Sequence, residues 1–344
     1  MRNDILNEDK TLRENLYTAH NRALIRLAGE NDKIVSCYAD FGPGDVGEVF
    51  KKQYPDRYID VGISEGHLIS SAAGLADAGF IPFTHCHALF AVGRGYNQIH
   101  QNVAYDNRNV KIVLCNAGAT WSGMGPSHLA VEDLAALRAV PNLVILSPAD
   151  AVAVEKATYA AAAYPGPVAI RLPDLARSYP IVYKKTLDFV VGQSVTLRDG
   201  SHVSILATGP MVPDALEASE ILCREGIQAR VIDMHTIKPL DESAVLAAAK
   251  ETGAMVTVED ASIIGGLGGA VAELVSQIHP VAVQRVGVKD QFGESGKLEE
   301  LKKHFGLNPS AICSAARQAM EVRDQKRKCK PEEPGSKRSD QSMM

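Results

Sequence analysis

Between Val61 and Ala76 one acid stands alone in a small, largely apolar stretch. In "DVGISEGHLISSAAGLADAGFIPF" (60–83), Glu65 follows a strand-like end and precedes a helical pattern. Such a carboxylate has two readings. It is a first-turn acid, favoured by the helix dipole and free amides. Alternatively it is held out of water to hydrogen-bond a nitrogen heterocycle, since burying a carboxylate needs compensation. The next stretch, "THCHALFAVGRGYNQIHQNV" (84–103), carries His85, His87, Phe90, Arg94 and Gln98. Phe90 is either a core or interface aromatic or a platform for a flat ring. His85 and His87 lack a third ligand at helical spacing, so no metal site is predicted. "NAGATWSGMGPSH" (116–128) is a Gly-rich loop running from Asn116 through Met124 to His128. It matches neither GxGxxG nor a P-loop. His128 either opens the next helix or acts as an acid or base near neutral pH.

These residues can meet only if the chain brings them to one edge. Short apolar runs at 33–40, 58–62, 110–116, 143–148 and 168–172 alternate with helical patterns at 66–78, 88–104 and 150–163, after a first helix over about 9–29. That alternation predicts a parallel sheet with helices on both faces. Ligands sit at the carboxyl ends of such strands. Those ends carry Asp40, Glu65, Thr84–His87, Asn116–His128 and Arg171. A looser stretch over 179–200, read as a linker with a short hairpin, leads to a second α/β unit. Its strands are predicted at 203–209, 228–234, 255–260 and 284–288, and its helices at 212–225, 241–251, 267–278, 296–304 and 309–322. The final residues are charged and lack apolar periodicity, and read as a disordered tail.

Composition narrows the function classes. The chain has 344 residues, 46% hydrophobic and 22% charged, which suits two globular domains. A net charge of −5 gives no support for a nucleic-acid surface. No run of 18 apolar residues and no signal peptide is evident, so no membrane partner is expected. The six cysteines form no CxxC pair, and Cys37 and Cys115 fall within strand-like runs. A reduced, cytoplasmic protein without a thiol or zinc centre is the expectation.

Together the motifs resemble the C-terminal half of transketolase, as encoded in split-gene members of that family. The matching segments are "DVGISEGHLISSAAGLADAGFIPF", "FAVGRGYNQI", "GPSHLAVEDLAALRAVPNLVILSPAD", "VAIRLPD", "DMHTIKPLD", "VTVED", "GGLGGAVAEL" and "DQFGESGKLEELKKHFGL", in family order over about 20–321. The resemblance implies a pyrimidine-binding thiamine-diphosphate fold over 21–185 and a transketolase C-terminal α/β domain over 195–321. A helical extension over 1–20 and a tail over 322–344 flank them. It implies thiamine diphosphate as cofactor, with Glu65 hydrogen-bonding the aminopyrimidine and Phe90 stacking on it. Asp40 matches an acid near the cofactor, and His87 stands where an aromatic is usual. His128 matches a histidine of the substrate channel. Arg171 and Arg22 match phosphate-binding positions, while Arg94 and Gln98 match structural or interfacial ones.

Some positions depart from the family pattern. "SGMGPSH" replaces "GEDGPTH" or "GEDGASH", so Met124 stands for an aspartate associated with a substrate hydroxyl. Asn116 replaces a histidine, and Gly44 stands where a phosphate-contacting serine is common. Replacing a hydrogen-bonding group by a thioether alters hydroxyl discrimination, so a non-standard ketose, phosphorylated or otherwise anionic, is expected. No GDG-type segment for metal and diphosphate is found. The resemblance therefore implies that a partner chain holds Mg²⁺ and the diphosphate, in an α2β2 heterotetramer. The alternatives are the β subunit of a 2-oxo acid dehydrogenase and a non-catalytic regulatory or assembly subunit. "GPSH" and the "FGESGKLEELKKHFGL" ending favour the transketolase side.

Overall fold

The structure, a computed structural model, describes residues 5–40, 45–119 and 124–328. Gly44 and the segment 329–344 lie outside the described residues. The first unit runs β1 (Arg13–Asn15), α1 (Leu16–Glu30), β2 (Ile34–Tyr38), α2 (Asp45–Gln53), β3 (Tyr58–Asp60), α3 (Glu65–Asp77), β4 (Ile81–His87), α4 (Ala88–Arg94), α5 (Tyr96–Gln98), β5 (Lys111–Cys115), α6 (Asp133–Arg138), β6 (Val144–Leu146), α7 (Ala151–Ala163), β7 (Val168–Arg171) and β8 (Ser178–Pro180). The second runs β9 (Val195–Arg198), β10 (Val203–Ala207), α8 (Val212–Arg224), β11 (Ala229–Asp233), β12 (Thr236–Lys238), α9 (Glu242–Thr252), β13 (Ala254–Ser262), α10 (Leu267–Ile278), β14 (Ala282–Val288), α11 (Leu298–Phe305) and α12 (Pro309–Lys328).

The central strands β2, β5 and β7 are buried along their whole length, which explains their continuous apolar runs. The first sheet has the order β12-β6-β7-β5-β4-β2-β3, and the second β14-β13-β10-β11-β9. Pairing is parallel except at β12 and β9, which join their sheets antiparallel. Strand β12 comes from the second unit yet pairs with β6 of the first, so one sheet spans both units. Leu68, Ile69, Ala72 and Ala73 of α3 pack with Val35, Cys37 and Cys86 of β2 and β4. On another face, α1 and α7 cover Phe83, Val113 and Ile170.

Several local expectations are corrected. Helix α1 starts at Leu16, because Asn15 caps it by accepting from the Thr18 amide at 2.9 Å. The described residues before it, 5–15, are not a helical extension: β1 pairs antiparallel with β8. Residues 179–200 form no hairpin, because β8 pairs with β1 and β9 with β11. The helical pattern over 88–104 breaks at Gly95 and ends in a π-helical stretch, Ile99–Ala104. Helix α12 continues to Lys328, so residues 322–328 are helical.

Candidate active site

Three strand exits build the site. At the first, Asp60 ends β3 and its Oδ1 accepts from the Gly62 amide at 3.0 Å, in a turn where Gly62 has φ +72°. The chain then enters α3 with Glu65 in its first turn. Glu65 is only 4% exposed, although it lies at a helix N-terminus where a surface acid is common. Asp60 Oδ1 also accepts from the Asp40 amide at 3.0 Å, so one carboxylate ties the ends of β2 and β3.

At the second exit β4 passes directly into α4. His87 is both the last residue of the strand and the residue preceding the helix, and Phe90 follows within the first turn. One turn further, Arg94 folds back. Its guanidinium carbon lies 4.3 Å from the centre of the Phe90 ring, and its Nη1 stands 3.4 Å from both oxygens of Glu65. Gln98 lies against Gly66, and its buried Oε1 has no partner among the described residues.

At the third exit Asn116 follows β5 in a left-handed conformation, φ +55°, which asparagine tolerates. Its Nδ2 reaches His87 Nδ1 at 3.1 Å. The loop then returns to His128, whose Nδ1 lies 2.9 Å from Ser127 Oγ. The rings of His87, Phe90 and His128 meet edge to face, with centroids 5.0–5.6 Å apart. Burial, with His128 beside it, lowers the His87 pKa to about 4 against the pull of Glu65, so its ring is neutral near pH 7.

Glu65, His87, Phe90, Asn116 and His128 thus share one cluster. Met124 stands on its rim, 50% exposed, where its carbonyl accepts from Ser127 Oγ. Asp40 is exposed at the neighbouring strand end. Arg94, expected from the sequence to be a structural or interfacial cation, belongs to the same cluster. The signal for it is its spacing of four from Phe90, which places both side chains on one helix face.

Arg171 is a correction. It is buried in the core, not open to an anion. Its Nε donates to Asp133 at 2.7 Å and its Nη1 to Asp260 of β13, so both carboxylates occupy the fork and join the two units. Burial lowers its pKa, but the two carboxylates outweigh it and raise it. Gly118, φ +84°, allows this approach: a Cβ there would stand 2.1 Å from Asp260 Oδ2. Arg22 is likewise engaged, at 2.5 Å from Glu14 and 2.9 Å from Glu155, and these ion pairs lie outside the Glu65 cluster. No group of three or more His, Cys, Asp or Glu that could hold a metal occurs among the described residues. No helix among them is long and apolar enough to cross a membrane.

The arrangement suits a flat, nitrogen-bearing ring. In this structure Arg94 itself supplies a planar N–H donor that rests on Phe90 and points at Glu65, which is the pair of contacts such a ring needs.

Residues 15–177 match the transketolase pyrimidine-binding domain, and residues 192–312 match the transketolase C-terminal domain. The chain is 43% identical over 298 residues to the 6-deoxy-6-sulfo-D-fructose transketolase subunit of Clostridium sp. (strain MSTE9), covering 87% of this chain and 92% of that one. It is 37% identical over 295 residues to a subunit of the apulose-4-phosphate transketolase of Phocaeicola vulgatus (strain ATCC 8482), covering 85% and 93%. A solved structure described as a split gene transketolase, inactive beta4 tetramer, superposes with a TM-score of 0.84 at 39% identity, covering 90% of this chain and 99% of that one. The chain belongs to the transketolase family of transferases and carries its pyrimidine-binding and C-terminal domains.

Proposed function

We propose that this chain is the pyrimidine-side subunit of a two-chain transketolase. It works with a diphosphate-binding partner in an α2β2 assembly, in the cytoplasm, on an anionic ketose donor and an aldehyde acceptor. The observation that carries this reading is the buried carboxylate of Glu65 beside the Phe90 ring, with a planar N–H donor already between them. The relatives support the subunit form, and their names support an anionic ketose: one bears a sulfonate and the other a phosphate. Large apolar side chains left in solvent support a partner face beside the site. Ile63 is 72% exposed two residues before Glu65, and Phe292 is 83% exposed on the stretch whose Gly293 packs on Leu129. The partner would hold Mg²⁺ and the diphosphate.

Thiamine diphosphate, when bound, supplies the nucleophile and electron sink for breaking and remaking the ketose carbon–carbon bond. Glu65 would accept from an N–H of the pyrimidine and hold the proton on that ring nitrogen. Its low exposure strengthens this contact. Phe90 would fix the ring plane. His128 lies against Phe90, where it can exchange a hydrogen bond or a proton with a substrate oxygen. Met124 offers no strong acceptor at the rim, which disfavours donors needing a carboxylate partner there. Asp40 would lie near the cofactor where the two chains meet.

The test is reconstitution. The chain is co-purified with a diphosphate-binding partner, supplied with thiamine diphosphate and Mg²⁺, and offered phosphorylated and sulfonated ketoses with an aldehyde acceptor. Ketol transfer from an anionic ketose is expected. A stable complex that transfers from none of them overturns the reading.

A further inference from the structure

Asn116 touches two groups whose hydrogen-bonding sense can be worked out without seeing a hydrogen. Its Oδ1 lies 3.0 Å from the backbone nitrogen of Leu175, which can only donate. That fixes the amide orientation, because the oxygen must face Leu175. The other end, Nδ2, is therefore an NH₂ group, and it lies 3.1 Å from His87 Nδ1. An NH₂ group can only donate, so Nδ1 must accept and carries no proton. A neutral imidazole with an unprotonated Nδ1 has its hydrogen on Nε2. The same contact disfavours the imidazolium, which would set two donors face to face.

We propose that Asn116 is a positioning residue that locks His87 as the neutral Nε2–H tautomer, so that whatever group meets Nε2 meets a donor and not an acceptor. The proposal goes beyond the function proposed above and does not depend on it. The tautomer itself follows from the contacts. Three features make the lock rigid. Asn116 is 5% exposed, so water competes little for its amide. Its left-handed backbone aims the side chain from the end of β5, whose last residue, Cys115, is in register with His87. Leu175, beyond β7, anchors the oxygen from a third segment. Among the described residues, the charged or titratable groups facing His87 include Glu65 from α3 and His128 from the loop, with Arg94 beyond Phe90 on α4. Glu65 favours the cation and His128 opposes it, while burial outweighs both.

The chemistry gained is a donor whose sense does not reverse with modest changes of pH. An imidazole free to choose its tautomer would accept or donate according to the ligand. A locked one discriminates between a group that can accept and a group that can only donate.

The test reads the ring directly and does not depend on turnover. The full chain is labelled with ¹⁵N-histidine, and long-range ¹H–¹⁵N correlations are recorded from about pH 8 down to about pH 5. His87 is assigned by the signals lost in His87→Gln. The expected pattern is an unprotonated Nδ1 and a protonated Nε2, unchanged over that range. Asn116→Asp presents an acceptor oxygen in place of the NH₂ group. It is expected to move the proton to Nδ1 and to raise the His87 pKa by at least about one unit. Asn116→Gly, which adopts a left-handed backbone freely, should leave a mixed tautomer population. An Nδ1–H tautomer in the unmodified chain overturns the proposal. So does an Asn116→Asp variant whose His87 signals match those of the unmodified chain. Failure of ketol transfer with the expected pattern intact would count against the function and not against the lock.

Discussion

Arg94 and Glu65 are joined by a long, even contact: one guanidinium nitrogen stands 3.4 Å from each carboxylate oxygen. Glu65 is buried and Arg94 is 55% exposed along its side chain, so the pair is a half-solvated ion pair capping a buried acid. The same guanidinium lies over Phe90. A cofactor ring that takes both contacts must displace it.

Arg94→Met keeps an apolar stem over Phe90 and removes the competing donor. A half-exposed pair of this kind contributes about 0.5–1 kcal/mol, so thiamine diphosphate should bind the reconstituted assembly about 2–5-fold more tightly. Titration calorimetry measures this. Weaker binding in the variant would show that Arg94 stays in contact with the cofactor.

Arg171 joins β7 to Asp133 of α6 and Asp260 of β13, with all three side chains out of water. Removing the cation leaves two buried carboxylates facing each other. Arg171→Met should therefore cost about 3–5 kcal/mol of stability, seen as a lower urea midpoint. A variant of near-native stability with only a raised KM for a phosphorylated donor would restore the anion-binding role.

These two arginines show where sequence was sufficient and where it was not. The placement of Glu65, Phe90 and His128 at strand exits is legible in the sequence, because the patterns of the flanking segments fix their elements. Arg94 reads as a structural or interfacial residue, since nothing local says that α4 folds its second turn over α3. Arg171 looked like an anion binder at a strand end. Its partners are 38 and 89 residues away, and their convergence depends on how the two units pack. Strand β12 was missed for the same reason: three residues acquire their pairing only from the other unit. The α1 boundary was local, set by the Asn15 cap, but the helical pattern alone did not reveal it.

A third consequence concerns pH. The Tyr183 hydroxyl donates to Asp233 Oδ2 at 2.6 Å, with both groups buried. Burial pushes the Asp233 pKa up from 3.8 to about 8; Tyr183 opposes the shift and Asp150 adds to it. The folded chain therefore holds a proton here at pH values where the unfolded chain has lost it. This contribution is complete below pH of about 4 and disappears as pH rises through about 8. Asp233→Asn keeps the neutral form. Relative to the variant, the unmodified chain should lose up to about 1.4 kcal/mol of stability per pH unit across that window. Urea unfolding at about pH 5 and about pH 8 measures it, and a difference that grows in the other direction contradicts it.

The central claim is that Glu65 acts on the cofactor and does not merely cap α3. Glu65→Gln preserves shape and a hydrogen-bonding oxygen but removes the charge. The measurement is ketol-transfer rate in the reconstituted assembly, alongside the mass of the complex and its affinity for thiamine diphosphate. The account predicts an intact complex whose turnover falls by at least about 100-fold. An intact, cofactor-loaded complex with near-native turnover would contradict it.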